Sequence, residues 1–155
     1  MNARRGLYGH ELWAAASKGH DSIVRLLLEK GADVNMQGGE YGSALQAASS
    51  DGHDSIVRLL LEKGADVNMQ GGYYGGALQA ASLGGHDNIV RLLLEKGADV
   101  NMEGGDDGSA LQAASSDGHE NIVRLLLEKG ADVNMEGGLY GSALQIGRAS
   151  CRERV

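Results

Sequence analysis

The chain has 155 residues and a net charge of −7 at pH 7; leucine and alanine dominate its apolar residues, and phenylalanine and proline are absent. The acidic balance, with no basic cluster after any predicted helix, argues against a nucleic acid as partner. No leader precedes the first repeat and no apolar run approaches the roughly 18 residues of a membrane-spanning helix, so we expect no membrane insertion and an intracellular, cytoplasmic location. The single cysteine, Cys151, excludes an intramolecular disulfide framework.

One stretch of thirteen residues, IVRLLLEKGADVN, occurs four times without a change. Its copies begin at Ile23, Ile56, Ile89 and Ile122, which gives a period of 33 residues. A fixed period of about 20–50 residues is typical of solenoids, in which each unit buries its apolar face only by stacking on a neighbour. We therefore predict a repeat array over 1–145, with units at about 6–38, 39–71, 72–104 and 105–137 and a partial fifth unit at 138–145.

The first unit predicts two helices joined by a short turn. Leu12–Ser17 is a short first helix, and Gly19 with the next histidine forms the turn. The second helix begins near Asp21, where an acidic residue suits the positive end of the helix dipole. It is predicted to end at Lys30, because Gly31 can take the left-handed conformation that closes a helix.

The second unit repeats this pattern and adds a turn before it. Ser43 is placed to cap the first helix, which Asp51 and Gly52 end. Residues 36–42, MQGGEYG, have the glycine spacing of an exposed, hairpin-like turn. Each unit is thus a turn, a short helix and a longer helix, and the predicted fold class is all-α.

These motifs resemble the ankyrin repeat. GSALQAA at 42–48 stands where that family has Gly-x-Thr-Pro-Leu-His-x-Ala, and the later Gly-His and GADVN elements match outright. Ser43, Ala44 and Gln46 depart from the family pattern by replacing threonine, proline and histidine. The resemblance covers nearly all of 1–145 and implies an all-α ankyrin solenoid that binds other proteins. The near identity of the units is similar to the arrays of large fungal signalling proteins, so we expect a fragment of a larger protein.

The last ten residues, 146–155, break every rule of the repeat. They look like the translation of a sequencing adapter, and we expect them to be non-native. A natural basic tail is the alternative. If the tail is non-native, Cys151 has no function.

Phosphate binding, metal binding and hydrolytic catalysis are the alternatives to a structural role for the repeated residues. The glycine-rich turns lack the GxGxxG spacing and the lysine of phosphate-binding loops. One histidine recurs in each unit, at His20, His53, His86 and His119. Such a series could suggest metal binding, but stacked units are about 10 Å apart and zinc needs nitrogen ligands near 2.1 Å. We therefore expect these histidines to have a structural role in the turns. Every Ser, His and Asp candidate for a hydrolytic triad recurs in equivalent surroundings, and the HELWA motif at His10 lacks the second histidine of a zinc site. We predict no enzyme, no metal and no cofactor.

Positions that differ between otherwise identical units are those that the fold does not dictate. They cluster at the turn tips, just behind them, and at the end of the first helix. In the ankyrin family these places line the concave binding face, which implies the following partner-binding residues: Tyr8, His10, Lys18, Glu40, Tyr41, Ser43, Ser50, Asp51, Tyr73, Tyr74, Leu83, Asp106, Asp107, Ser109, Asp117 and Tyr140.

Tyrosine dominates the turn tips and is favoured at protein interfaces. The alternative is that the more constant tyrosine of each tip packs over the turn glycines; the variable position Glu40, Tyr73 and Asp106 is the stronger candidate for partner contact. The predicted function is a non-catalytic protein-binding module whose partner is another protein. A structural spacer or self-associating scaffold is the alternative, which the near identity of the units favours.

Overall fold

The computed structural model describes residues 9–135, and within them the chain forms eight α-helices and no strand. In chain order the helices are α1 (Gly9–Lys18), α2 (Asp21–Glu29), α3 (Ala44–Asp51), α4 (Asp54–Glu62), α5 (Ala77–Gly84), α6 (Asp87–Glu95), α7 (Ala110–Ser116) and α8 (Glu120–Glu128). Each odd-numbered helix is the first helix of a repeat and each even-numbered helix is the second. The all-α prediction is confirmed. No helix in 9–135 is long and apolar enough to cross a membrane.

The helix ends follow the predicted caps closely. The Ser43 hydroxyl accepts a hydrogen bond from the Gln46 backbone amide at 3.3 Å, and Gly52 closes α3 in the left-handed conformation. Each second helix ends one residue earlier than predicted: α2 stops at Glu29, and Lys30 is its C-cap.

Helix α1 is longer than the predicted segment Leu12–Ser17, which it exceeds at both ends. The extra N-terminal turn brings His10 edge-on against Trp13, with ring centroids 5.8 Å apart. Residues three apart face each other on a helix, so this contact favours the additional turn. Glu11 in that turn also suits the helix dipole.

Two layers of helices share one apolar core. The first helices pack closely on one another, with buried alanines such as Ala48 and Ala81 in the core, whereas the second helices contact each other much less. Leu60 and Leu93 of the second helices are fully buried against the first layer. Small side chains therefore bring the first helices closer together than the second helices.

The apolar residues of the second helices are mostly buried in α4 and α6 but not in α2. Ile56 of α4 is fully buried, but its equivalent Ile23 in α2 is 47% exposed. No earlier repeat in 9–135 covers α2, so Val24 is the one residue of that helix that is fully buried.

Polar side chains of one repeat bind the backbone of its neighbour. His53 Nε2 lies 2.8 Å from the Ser17 carbonyl oxygen, and His86 and His119 make the same contact at 2.9 Å with the repeat before them. Asn35 forms hydrogen bonds with the repeat that follows it. Its Nδ2 donates to the Gly64 carbonyl, and its Oδ1 accepts from the backbone amide of Asp66. His53, His86 and His119 therefore have a structural role, and each binds a backbone carbonyl of the preceding repeat.

The predicted turn before each first helix is a small hairpin. Gly38 and Gly42 face each other in an antiparallel bridge, and the Gly38 amide donates to the Gly42 carbonyl at 2.8 Å. Neighbouring tips are joined through their backbones, since the Tyr73 amide donates to the Glu40 carbonyl at 2.7 Å. The three described hairpins thus form a continuous ridge beside the first helices.

Candidate partner-binding face

Five aromatic rings line the hairpin ridge at its N-terminal end, and we call them the aromatic row. They are His10, Trp13, Tyr41, Tyr74 and Tyr73, in the order in which they touch. Ring centroids are 6.1 Å apart for Trp13 and Tyr41, 6.4 Å for Tyr41 and Tyr74, and 5.1 Å for Tyr73 and Tyr74. The row crosses three repeats, so neighbouring units supply rings to one surface.

A cleft opens between the second and third of the described repeats, at the tips of their hairpins. We call it the tip cleft; it has a volume of about 590 Å³ and is lined by Gly39, Glu40, Tyr41, Gly72, Tyr73 and Tyr74. Tyr73 is 52% exposed and Glu40 is exposed, whereas Tyr41 and Tyr74 are half-buried. In this cleft the more constant Tyr41 and Tyr74 pack against each other, and the variable position supplies the more exposed side chains, Glu40 and Tyr73.

Trp13 belongs to this surface although it was not among the predicted site residues. It occupies the position of Gln46, Gln79 and Gln112 in the other repeats. Gln46 donates through Nε2 to the Gly71 carbonyl at 2.8 Å, whereas the Trp13 ring packs over Gly39. The signal was present in the sequence, because Trp13 is the single tryptophan and breaks an otherwise invariant glutamine position.

The fourth repeat places an acidic group where the two before it have a tyrosine. Asp107 aligns with Tyr41 and Tyr74, and it lies beside Asp106 and near Asp117. Burial raises the pKa of Asp107 above its ordinary value of 3.8, and repulsion from Asp117 and then Asp106 raises the pKa further. The ridge therefore changes from aromatic to acidic along its length.

Positive charges are concentrated in the layer of second helices, whereas acidic residues occur in both layers. In the described part of the chain, the hairpins and first helices hold one cation, Lys18, and the following acidic residues: Glu11, Glu40, Asp51, Glu103, Asp106, Asp107 and Asp117. The other cations lie on the second helices or at their C-caps: Arg25, Lys30, Arg58, Lys63, Arg91, Lys96, Arg124 and Lys129. One face of the array is strongly acidic as a result.

Several predicted site residues lie on this face and two do not. His10, Lys18, Asp51 and Asp117 are exposed, while Ser50 and Leu83 are half-buried at first-helix ends. Ser43 and Ser109 are each only 2% exposed. Their hydroxyls cap α3 and α7, so these serines cannot reach a partner without opening a helix end. Tyr8 and Tyr140 lie outside the described residues.

The residues of this face are better suited to binding another molecule than to catalysing a reaction. Within 9–135 no group of three or more His, Cys, Asp or Glu side chains is placed to hold a metal ion. The ionisable groups of the acidic face are spread over several repeats, and the tip cleft contains a carboxylate and phenols but no histidine or cysteine. Such a surface suits binding.

Comparison with known families agrees with this architecture. The family model for ankyrin repeats (3 copies) matches residues 11–71 and 71–137, which together span most of the chain. The chain therefore belongs to the ankyrin repeat family. Ankyrin repeats are generally protein–protein interaction modules and are typically non-catalytic. No curated protein matches the chain.

Proposed function

We propose that the array binds a partner protein through its hairpin tips and first helices, as a non-catalytic part of a larger signalling protein. The array is taken as 1–145 and the segment 146–155 as non-native. The observation that carries this proposal is the position of the variable residues. Glu40, Tyr73 and Asp106 differ from one repeat to the next, lie at equivalent tips, and stand among repeats whose second helices are nearly identical.

The packing of the layers supports the choice of face. Because the first helices approach each other more closely than the second helices, we expect the stack to curve with the first helices on its inner side. The inner side holds the aromatic row and most of the accessible variable positions. The partner-contact set is His10, Lys18, Glu40, Tyr41, Ser50, Asp51, Tyr73, Tyr74, Leu83, Asp106, Asp107 and Asp117, with Tyr8 and Tyr140 kept as candidates; the two buried serines are left out.

Site-specific photo-cross-linking tests the proposal. A benzophenone amino acid is placed at Tyr73 on the proposed face or at Glu62, which is exposed on the outer helix α4. We expect a partner protein to be cross-linked from position 73 and not from position 62. With the purified partner, Tyr73→Ala should weaken binding at least about tenfold, as hot-spot truncations do, and Glu62→Ala should leave it unchanged. Equal cross-linking at both positions would reject the proposed face.

Exposed apolar residues near both ends of the described array favour a second candidate, end-to-end self-association. Ile23 and Leu26 at one end, and Leu127 and Val133 at the other, are large and exposed. In a scaffold of this kind the sedimentation coefficient would rise with concentration. Ile23→Asp would abolish that rise, whereas Tyr73→Ala would not.

A further inference from the structure

We propose that the tip cleft binds a basic side chain, arginine or lysine, from an extended segment of the partner protein. This inference rests on the proposed function and names the chemistry of the partner. Its basis is the combination of three tyrosine rings and one carboxylate in a single cleft. The cleft lies on the face where, in the described part of the chain, seven acidic residues accompany one cation.

The rings present the surface that a cation prefers. Tyr73 and Tyr74 stand at 88° to each other, and Tyr41 is tilted by 30° to Tyr74, so the cleft has walls in more than one direction. The π face of an aromatic ring carries partial negative charge and attracts ammonium and guanidinium groups within about 6 Å. Tyr73 is 52% exposed, so part of its side chain is accessible to such a group.

Electrostatics selects a cation over other occupants. Glu40 lies at the cleft, and no lysine, arginine or histidine lines it. Lys18 is the one cation on this face in the described part of the chain. A phosphate or carboxylate would be repelled here, and a neutral apolar segment would gain nothing from Glu40. A basic segment gains from both the rings and the carboxylate.

The acidic tip of the fourth repeat extends the same surface. The Asp106 amide donates to the Tyr73 carbonyl at 3.2 Å, so this tip lies directly beside the cleft. Packed helices are about 8–10 Å apart, and an extended chain advances about 3.3 Å per residue. A partner segment with basic residues three positions apart would therefore place one in the tip cleft and the next beside Asp106 and Asp107.

The test uses the full chain and short peptides of defined charge. The probe is an acetylated, amidated glycine-serine peptide with two arginines three positions apart, and the matched control replaces both arginines with citrulline. Titrations followed by ¹⁵N–¹H NMR should shift the amides of Glu40, Tyr73, Tyr74 and Asp106 with the arginine peptide only. Equal shifts with citrulline would overturn the proposal, since they would indicate binding without charge. No shifts at these amides would overturn it as well.

Matched variants separate the ring from the carboxylate. Tyr73→Leu should weaken peptide binding about three- to tenfold, and Tyr73→Phe, which keeps the ring, should bind like the parent. Glu40→Gln should weaken binding by a similar factor, but Glu62→Gln on the outer helix should have no effect. Equal losses for the two glutamate variants would show attraction to net charge alone and would overturn the site. If a partner cross-links at position 73 while the arginine peptide fails to bind, the proposed function stands and this inference does not.

Discussion

Asp107 shows how one side chain changes the character of a repeat without changing its fold. Its hairpin keeps the bridge between Gly104 and Gly108, and α7 keeps its serine cap, although a carboxylate stands where Tyr41 and Tyr74 stand in the preceding repeats. The aromatic row stops there and acidic groups begin. The carboxylate is half-buried and close to other acids, so this character comes at a cost in stability.

We expect Asp107→Asn to stabilise the array at neutral pH. Because the pKa of Asp107 is raised in the folded chain, the folded state holds the proton more tightly than the unfolded state, and the ionised carboxylate is destabilising above the folded pKa. This cost is relieved as pH falls through the folded pKa, and it vanishes below about 3.8, where both states are protonated. Thermal unfolding followed by circular dichroism from pH 7 to pH 3 should show the variant's advantage shrinking accordingly.

The neighbouring acid provides the control for that experiment. Repulsion from Asp117 contributes to the raised pKa of Asp107, so Asp107→Asn should stabilise less when introduced into an Asp117→Asn background. A lower unfolding temperature for Asp107→Asn at pH 7 would contradict the electrostatic account.

Among the elements, the hairpins depend most strictly on glycine. Gly72 has φ +67°, and a Cβ added there would lie 2.5 Å from the Tyr41 carbonyl carbon and 2.6 Å from the Gly42 nitrogen. These are backbone atoms of the neighbouring hairpin, so they cannot move aside as a side chain could. The ridge can form only because the tips approach each other this closely.

Gly72→Ala should therefore destabilise the array more than a glycine change that strains the backbone alone. Gly64, at the end of α4, has φ +92° and nothing within 4 Å of an added Cβ, so it serves as the matched control. We expect Gly64→Ala to cost about 1 kcal/mol through its left-handed backbone. Gly72→Ala should cost more than about 2 kcal/mol, because the overlap adds to the same strain. Urea unfolding measures both, and equal costs would contradict the close approach of the hairpins.

The elements themselves were predictable from the sequence because their signals are local and repeated. Ser43 before an alanine-rich run, Gly52 after it, and paired glycines in the turns each act within a few residues. The length of α1 was not predictable, since it follows from a ring contact that replaces the pattern of the other repeats.

The candidate site was only partly predictable because it depends on contacts between repeats. Variation between copies located Tyr73 and Glu40, but it also selected Ser43, whose hydroxyl is consumed by a helix cap. Trp13 varies as well, yet its place in the aromatic row depends on a hairpin one repeat away. Whether a variable position is exposed is decided by the neighbouring unit, which a comparison of aligned copies does not describe.

In the whole molecule, position in the stack decides what an identical sequence contributes. Helices α2 and α4 have the same nine residues, DSIVRLLLE. Four of these residues are buried in α4, but only Val24 is buried in α2. In a linear array each unit is stabilised by its own packing and by its interfaces with neighbours. The first described repeat has one such interface and the central repeats have two.

Two identical substitutions in α2 and α4 test this dependence. Ile56 is fully buried, so Ile56→Ala should cost about 2–5 kcal/mol through lost apolar contact and the cavity left behind. Ile23→Ala removes the same atoms from a side chain that is 47% exposed, and it should cost less than about 1 kcal/mol. Amide hydrogen exchange should report the loss of protection in α4 and its neighbours for the first variant, and in α2 alone for the second. Equal losses of stability would mean that both isoleucines are covered to the same extent in solution. This would be the case if end-to-end association buried Ile23. At lower protein concentration, where the association dissociates, Ile23→Ala should then cost less than Ile56→Ala.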